Sequence, residues 1–196
     1  AVFAARPNGE ARLTFNDTRG EARAAVGTGE DGAPALGLRD AGGVPRVALA
    51  LGEAEAPTLN LYDADGRGRA GLTLSPAGNG RLEMVDSAGQ GRALLGAGEG
   101  GAPVLRLSGD DGQNRLALLV TPENHAAAAV FDAQGRVQST WGAEADGRPG
   151  LIFYDQSGQL TLAGLGVSIE ERPFILFKST DGTISWSQGQ ALLQQN

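Results

Sequence analysis

The sequence predicts an all-β protein made of eight tandem β-hairpins. Three observations carry that prediction: a glycine that recurs about every 23 residues, apolar residues spaced two apart on either side of it, and no confident amphipathic helix. The glycines are Gly20, Gly43, Gly66, Gly89, Gly112, Gly135, Gly158 and Gly182, and only the last step is one residue longer. Glycine accounts for 31 of 196 residues, too few for eight in-register positions to be an effect of composition. Three residues ahead of it stand Asp17, Asp40, Asp63, Asp86, Gly109, Asp132, Asp155 and Ser179; three residues behind stand Arg23, Arg46, Arg69, Arg92, Arg115, Gln138, Thr161 and Ser185.

The chain divides into an N-terminal segment (1–10), the repeat array (11–186) and a tail (187–196). The segment opens on Ala1-Val2-Phe3-Ala4-Ala5, outside the repeats, and is a candidate donor strand: Val2 and Phe3 would add to a neighbouring copy's open edge near Phe174–Phe177. A start on Ala instead of Met suits a mature secreted product, so an extracellular or cell-surface location is expected.

Within each repeat the first run is apolar at alternate positions, as in Leu36 and Leu38, Leu59 and Leu61, or Leu105 and Leu107. The second run repeats this with Val47 and Leu49, or Leu116 and Leu118. A period of two over such short runs marks half-buried strands. If Asp63 pairs with Gly66 across a two-residue loop, Leu61 faces Gly68, Leu59 faces Ala70, and the apolar residues of both runs share one face; a three-residue loop would put the two sets on opposite faces. Asp is then a turn acceptor and Gly a holder of strained dihedrals. Between repeats, a three-residue loop with Gly32 in the left-handed region brings Val26 opposite Leu36. Pro34, Pro57, Pro103, Pro149 and Pro173 mark five of these junctions, where a missing amide near a strand start costs least. Ala126–Ala129 favours helix by propensity but falls in register as a first strand, and the tail 190–195 suits a helical turn or one more strand.

The product is an antiparallel meander of about 16 strands with one apolar face. An open sheet of that size curls or splits, so the face must be covered by the chain closing on itself or by identical subunits, as in a β-prism or fibre. Abundant Gly and Ala with 5% aromatics suit a narrow core. A parallel β-solenoid is the alternative, disfavoured because it would stack the Asp column at about 4.8 Å. The last two repeats differ: Leu151-Ile152-Phe153-Tyr154 and Phe174-Ile175-Leu176-Phe177 are apolar at both parities, and seven of the ten aromatics lie beyond residue 130. That end reads as an internal cap or a docking surface, with Phe153, Phe174, Ile175, Phe177 and Trp186, alongside Val2 and Phe3, as candidate self-association residues.

Chemistry is sparse. A net charge of −7 without a basic run argues against nucleic acid, and no stretch reaches the length of a membrane helix. There is no Cys. Gly96–Gly101 matches G-x-G-x-x-G but sits in an inter-repeat turn with Pro103 where a helix should follow. The single histidine, His125, occupies another such turn, with no serine in a nucleophile elbow to serve. Asp63-Ala64-Asp65, Asp110-Asp111 and Glu30-Asp31 could give oxygen ligands to calcium, though none forms an EF-hand loop and Asp is a common turn former; no cofactor is otherwise expected. Asn16-Asp17-Thr18 fits a glycosylation acceptor. Every prominent carboxylate repeats with the unit, whereas catalytic residues are singular, so no enzyme is expected.

Tandem short hairpins with D-x-x-G turns, rich in Gly and Ala and free of Cys, resemble the β-structured shafts of phage tail fibres and bacterial surface fibres from Ala11 to Trp186. The resemblance implies a homo-oligomeric extracellular fibre and transfers no site residue. The expected function is therefore a structural protein that self-assembles into a filament as a trimer or polymer. The rival is a monomeric β-propeller or barrel that binds carbohydrate or another ligand.

Overall fold

The computed structural model describes all residues except 6, 8, 30–31, 98–100, 122–123, 144–145, 190–196 and the side chain of Glu53. The expectations placed on Glu30-Asp31, on the centre of the Gly96–Gly101 motif and on the tail 190–195 lie outside the described residues. The chain is all-β and consists of two compact units, Ala1–Gly96 and Ala97–Asn196.

The first unit carries β1 (Val2–Ala5), β2 (Ala11–Asn16), β3 (Ala22–Thr28), β4 (Pro34–Arg39), β5 (Pro45–Leu51), β6 (Pro57–Tyr62), β7 (Gly68–Leu74), β8 (Gly80–Val85) and β9 (Gly91–Ala97). The second carries β10 (Pro103–Ser108), β11 (Asn114–Val120), β12 (Ala126–Phe131), β13 (Val137–Ala143), β14 (Pro149–Tyr154), β15 (Thr161–Val167), β16 (Pro173–Lys178) and β17 (Ile184–Gln188). Within each unit every strand pairs antiparallel with its neighbour in sequence, so each unit is a meander, and its first and last strands do not join to close it. Antiparallel registers throughout rule out the parallel solenoid, and with it any stacked Asp column; successive turn aspartates are two strands apart, about 9.6 Å. Helical structure among the described residues is confined to a 3-10 turn at Glu53–Glu55 and to Gly101.

The five prolines each begin a strand, and the alanine run is β12, as the register predicts. The inter-repeat turn is also as predicted. Gly29 N–H donates to the Ala33 carbonyl at 2.9 Å, Gly32 has φ 80°, and Val26 faces Leu36.

The turn inside each hairpin is not the two-residue loop expected. Asp63 N–H donates to the Arg67 carbonyl at 2.9 Å and Gly66 N–H to the Asp63 carbonyl at 3.1 Å, which leaves three residues in the loop, with Gly66 at φ 77°. Tyr62 then pairs with Gly68 and Leu61 with Ala70, so one extra residue, Arg69, bulges from the second strand. The bulge restores the parity that a three-residue loop alone would break. Leu59 meets Leu72, not Ala70, yet both runs still share a face. The same loop and bulge recur in the other repeats; in the seventh the loop is one residue longer, with Asp155 N–H reaching the Leu160 carbonyl at 2.8 Å. That residue accounts for the single 24-residue step.

The N-terminal segment is also placed differently from expectation. Val2–Ala5 forms β1 on its own chain, pairing Val2 with Thr14 and Phe3 with Leu13. Phe174–Phe177 is no open edge either, because β16 is flanked by β15 and β17. A donor-strand junction at that point has no vacant ladder to join, and the strand count rises to 17 with β1 included.

Candidate functional site

Following the registers across the first unit gives two apolar rows on one face. The first runs Leu13, Val26, Leu36, Leu49, Leu59, Leu72, Leu82 and Leu95; the second alternates bulk along Phe15, Ala24, Leu38, Val47, Leu61, Ala70, Met84 and Ala93. The second unit continues the pattern with Leu105, Leu118, Ala128, Trp141, Leu151, Leu165 and Ile175 in one row, and Leu116, Val130, Ser139, Phe153, Ala163, Phe177 and Trp186 in the other. Opposed apolar pairs of this kind are the main local stabilisers of a sheet.

Among the described residues no helix or second sheet of either unit lies over its leucine face. Leu49 is 48% exposed, Leu72 47% and Trp141 67%. Among the described hydrophobic residues only Val104, at 6%, and Ala117, at 4%, are buried, and both sit on the opposite face of the second unit. The exposed side chains of each unit's leucine face amount to on the order of 800 Å², the share one partner gives to a stable interface, whereas monomers rarely leave more than a few hundred contiguous.

The predicted self-association residues divide accordingly. Phe153, Ala163, Phe177 and Trp186 form one cross-strand row on the leucine face, with the Phe177 and Trp186 rings 5.6 Å apart and tilted by 46°. Ile175 shares that face. Phe174 does not: it lies on the opposite face, its ring over Gly164 and Gly166, where a β-carbon would come 3.5–3.8 Å from it or its neighbour Leu176. Val2 and Phe3 belong to the first unit, Phe3 beside Leu13. Trp141, the most exposed member of the face after Phe3, escaped the sequence reading although it stands in register with Leu49, Leu72 and Leu118.

The polar residues are occupied by the turns. Asp63 Oδ1 accepts from the amides of Asp65 (2.9 Å) and Arg67 (3.0 Å), and Oδ2 from Arg69 Nε at 2.6 Å. Asp17, Asp40 and Asp86 repeat the two amide bonds and pair with Arg23, Arg46 and Arg92 at 3.4–3.5 Å. The Arg67 amide first, and then the Arg69 guanidinium, hold the Asp63 carboxyl below its ordinary range against a partial loss of hydration. For Asp86 the Gln90 amide leads in the same direction.

The arginine does a second thing that the sequence does not announce. Arg23 Nε donates to the Arg39 carbonyl at 3.1 Å and Arg46 Nε to the Tyr62 carbonyl at 3.2 Å; Arg69 reaches the Asp86 carbonyl, and Arg115 the Asp132 carbonyl at 3.3 Å. Each guanidinium thus ties its own turn to the next hairpin. Beyond the fifth repeat the tie is gone: Gln138 still reaches Asp132 Oδ2 at 3.2 Å, while Asp155 is held by the Ser157 hydroxyl at 2.6 Å.

Among the described residues no three acidic, His or Cys side chains converge as a metal site would require. Asp65 pairs with Arg67 and Asp111 with Arg115. His125 sits in a turn, its amide donating to Thr121 Oγ1. Asn16 is exposed at the end of β2. No protein-family model matches the chain, and no curated protein matches it in sequence.

Proposed function

We propose that the chain is a structural, non-catalytic protein that self-associates through its leucine face into an extracellular fibre or filament. The observation that carries this reading is the uncovered apolar wall along both units, with Leu49, Leu72 and Trp141 about half exposed or more. A partner that covers it evenly must present apolar side chains at the same two-strand spacing, about 9.6 Å per repeat. A second copy does so by construction. The alternation of large and small residues along Phe15, Ala24, Leu38, Val47, Leu61 and Ala70 gives ridges and gaps of matching pitch. The repeating aspartates such as Asp63 are engaged by turn amides and arginines, which supports a structural role for them.

Sedimentation velocity over a concentration series tests the proposal, with negative-stain microscopy of the same samples. Trimers or rods are expected. Discrete monomers at every concentration would overturn it in favour of a monomeric ligand-binding protein.

A further inference from the structure

Trp141 breaks the regularity of the leucine face. Every equivalent second-strand position in the first five repeats holds Val26, Leu49, Leu72, Leu95 or Leu118; here a tryptophan stands between Ala128 and Leu151, 67% exposed. Beside it lies an apolar cleft of about 490 Å³ lined by Trp141, Pro149, Leu151, Leu165 and Val167, floored by Gly150 and Gly166. By strand alternation these side chains all belong to the leucine face. The glycines enter only as bare backbone: Gly150 faces both Gly142 and Gly166 across the sheet, and the cleft lies between the leucine-face side chains that flank them.

A large exposed ring beside an empty apolar cleft, on the same face of the same chain, is a self-complementary pair. We infer that Trp141 is the anchor of self-association, its indole seating in the Pro149–Leu151–Leu165–Val167 cleft of a second copy. This rests on the proposed self-association and specifies its centre. Three features of the molecule favour a copy of the chain as occupant. The surrounding face is of interface size. The cleft lining is almost wholly apolar, which suits an indole better than a sugar or a charged peptide. The arrangement is also satisfied reciprocally, each copy giving a ring and receiving one, whether around a two-fold axis or cyclically around a closed ring. Tryptophans seated in dry pockets are the commonest energetic centres of interfaces.

The chain has two tryptophans, so Trp186→Phe leaves Trp141 as the sole indole reporter. In that variant, emission is expected to move to shorter wavelength as concentration drives association, in step with the sedimentation profile. Trp141→Ala should weaken association at least about tenfold with an unchanged far-ultraviolet circular dichroism spectrum, and Trp141→Phe should recover part of the loss. Val167→Asp, which alters the seat and leaves the ring, should weaken it similarly while Trp141 emission stays red. If the reporter variant assembles with its emission still red, or if Trp141→Ala assembles as well as the wild type, the anchor is elsewhere and this inference falls while self-association stands. A wild type that never associates removes the proposed function itself.

Discussion

The first four repeats and the last three are built from the same hairpin yet are held together differently. In repeats one to four, the central row of the opposite face is small or polar along Thr14, Ala25, Gly37, Ala48, Asn60, Gly71 and Glu83, and only its last member, Leu94, is large and apolar. Hairpins one to three are each joined to the next by an arginine reaching a neighbouring carbonyl. In repeats six to eight the arginines give way to Gln138, Thr161 and Ser185, and the opposite face becomes apolar through Ile152, Phe174 and Leu176. Charge-assisted hydrogen bonds in one region are replaced by packing in the other. The period of the chain fixes the geometry, and either chemistry can hold it.

Substitutions, acid and salt test that contrast. The leucine ladder of the first unit is uniform, so no single position should dominate there, in contrast to Trp141. Leu49→Asp with Leu72→Asp is expected to weaken association about a hundredfold, because two charges would be buried unpaired; Leu49→Ala alone should cost far less. Sedimentation equilibrium checks both, and a double variant that assembles normally would place the first unit outside the interface.

Next comes packing in the second unit. A β-carbon on Gly142 would collide with the Ala126 carbonyl and come within 2.8 Å of the Ala127 α-carbon, as one on Gly27 or Gly96 of the first unit would collide with the carbonyl of Ala11 or Gly80, whereas the equivalent position in the third repeat carries Thr73. Gly142→Val is expected to destabilise by about 2–3 kcal/mol, and Thr73→Val by less than about 0.5 kcal/mol, as measured by denaturant unfolding.

Acid should act through the turn carboxylates. The folded pKa values of Asp17, Asp40, Asp63 and Asp86 lie below the ordinary range, so their stabilisation is complete above the unfolded value of about 3.9 and is lost as pH falls through the folded values. Salt separates the regions at neutral pH. Screening weakens the arginine ties of the first repeats but not the Ser157–Asp155 bond. Amide exchange at Asp63 and Arg67 should therefore quicken a few-fold in 1 M salt while that at Gln159 and Leu160 holds steady. Equal acceleration at both would show that the guanidinium ties do not order the hairpins.

The inter-repeat turns should behave alike in the two units. Glu55 in the first unit and Glu171 in the second occupy the left-handed position that Gly32, Gly78, Gly101 and Gly147 fill elsewhere, with φ of 58° and 57°. Replacing either by Gly should stabilise by about 1 kcal/mol, and Asn124→Gly by less, since Asn tolerates that region. Thermal melts of the three variants check this.

Strand positions, the shared apolar face and the Gly32-type turn were legible in the sequence because alternation and glycine spacing leave few other solutions. The Asp63 turn was misread for a definite reason. A two-residue loop and a three-residue loop followed by one bulged residue preserve the same side-chain parity, so a parity argument cannot tell them apart; only the hydrogen bond from Asp63 to Arg67 does. The arginine column was visible, but its partner is a main-chain carbonyl with no sequence signature. Trp141 stands in register with Leu118 and Leu151, but its strand is polar at neighbouring positions, Ser139 and Thr140, and so lacks the both-parity apolar pattern that marks Phe153 and Phe174. The placement of Val2 and Phe3 on β2 was hidden because a strand of four residues carries too little alternation to name its partner.

The acceptors of the arginine ties are the main-chain carbonyls of Arg39, Tyr62, Asp86 and Asp132, a cationic, an aromatic and two acidic residues, so the side chain of the acceptor residue is not what is read. A joint that reads only main chain is indifferent to which module comes next. Copying or deleting one module among the arginine-tied hairpins would leave those couplings intact, so the length of that part of the array can change without a compensating substitution.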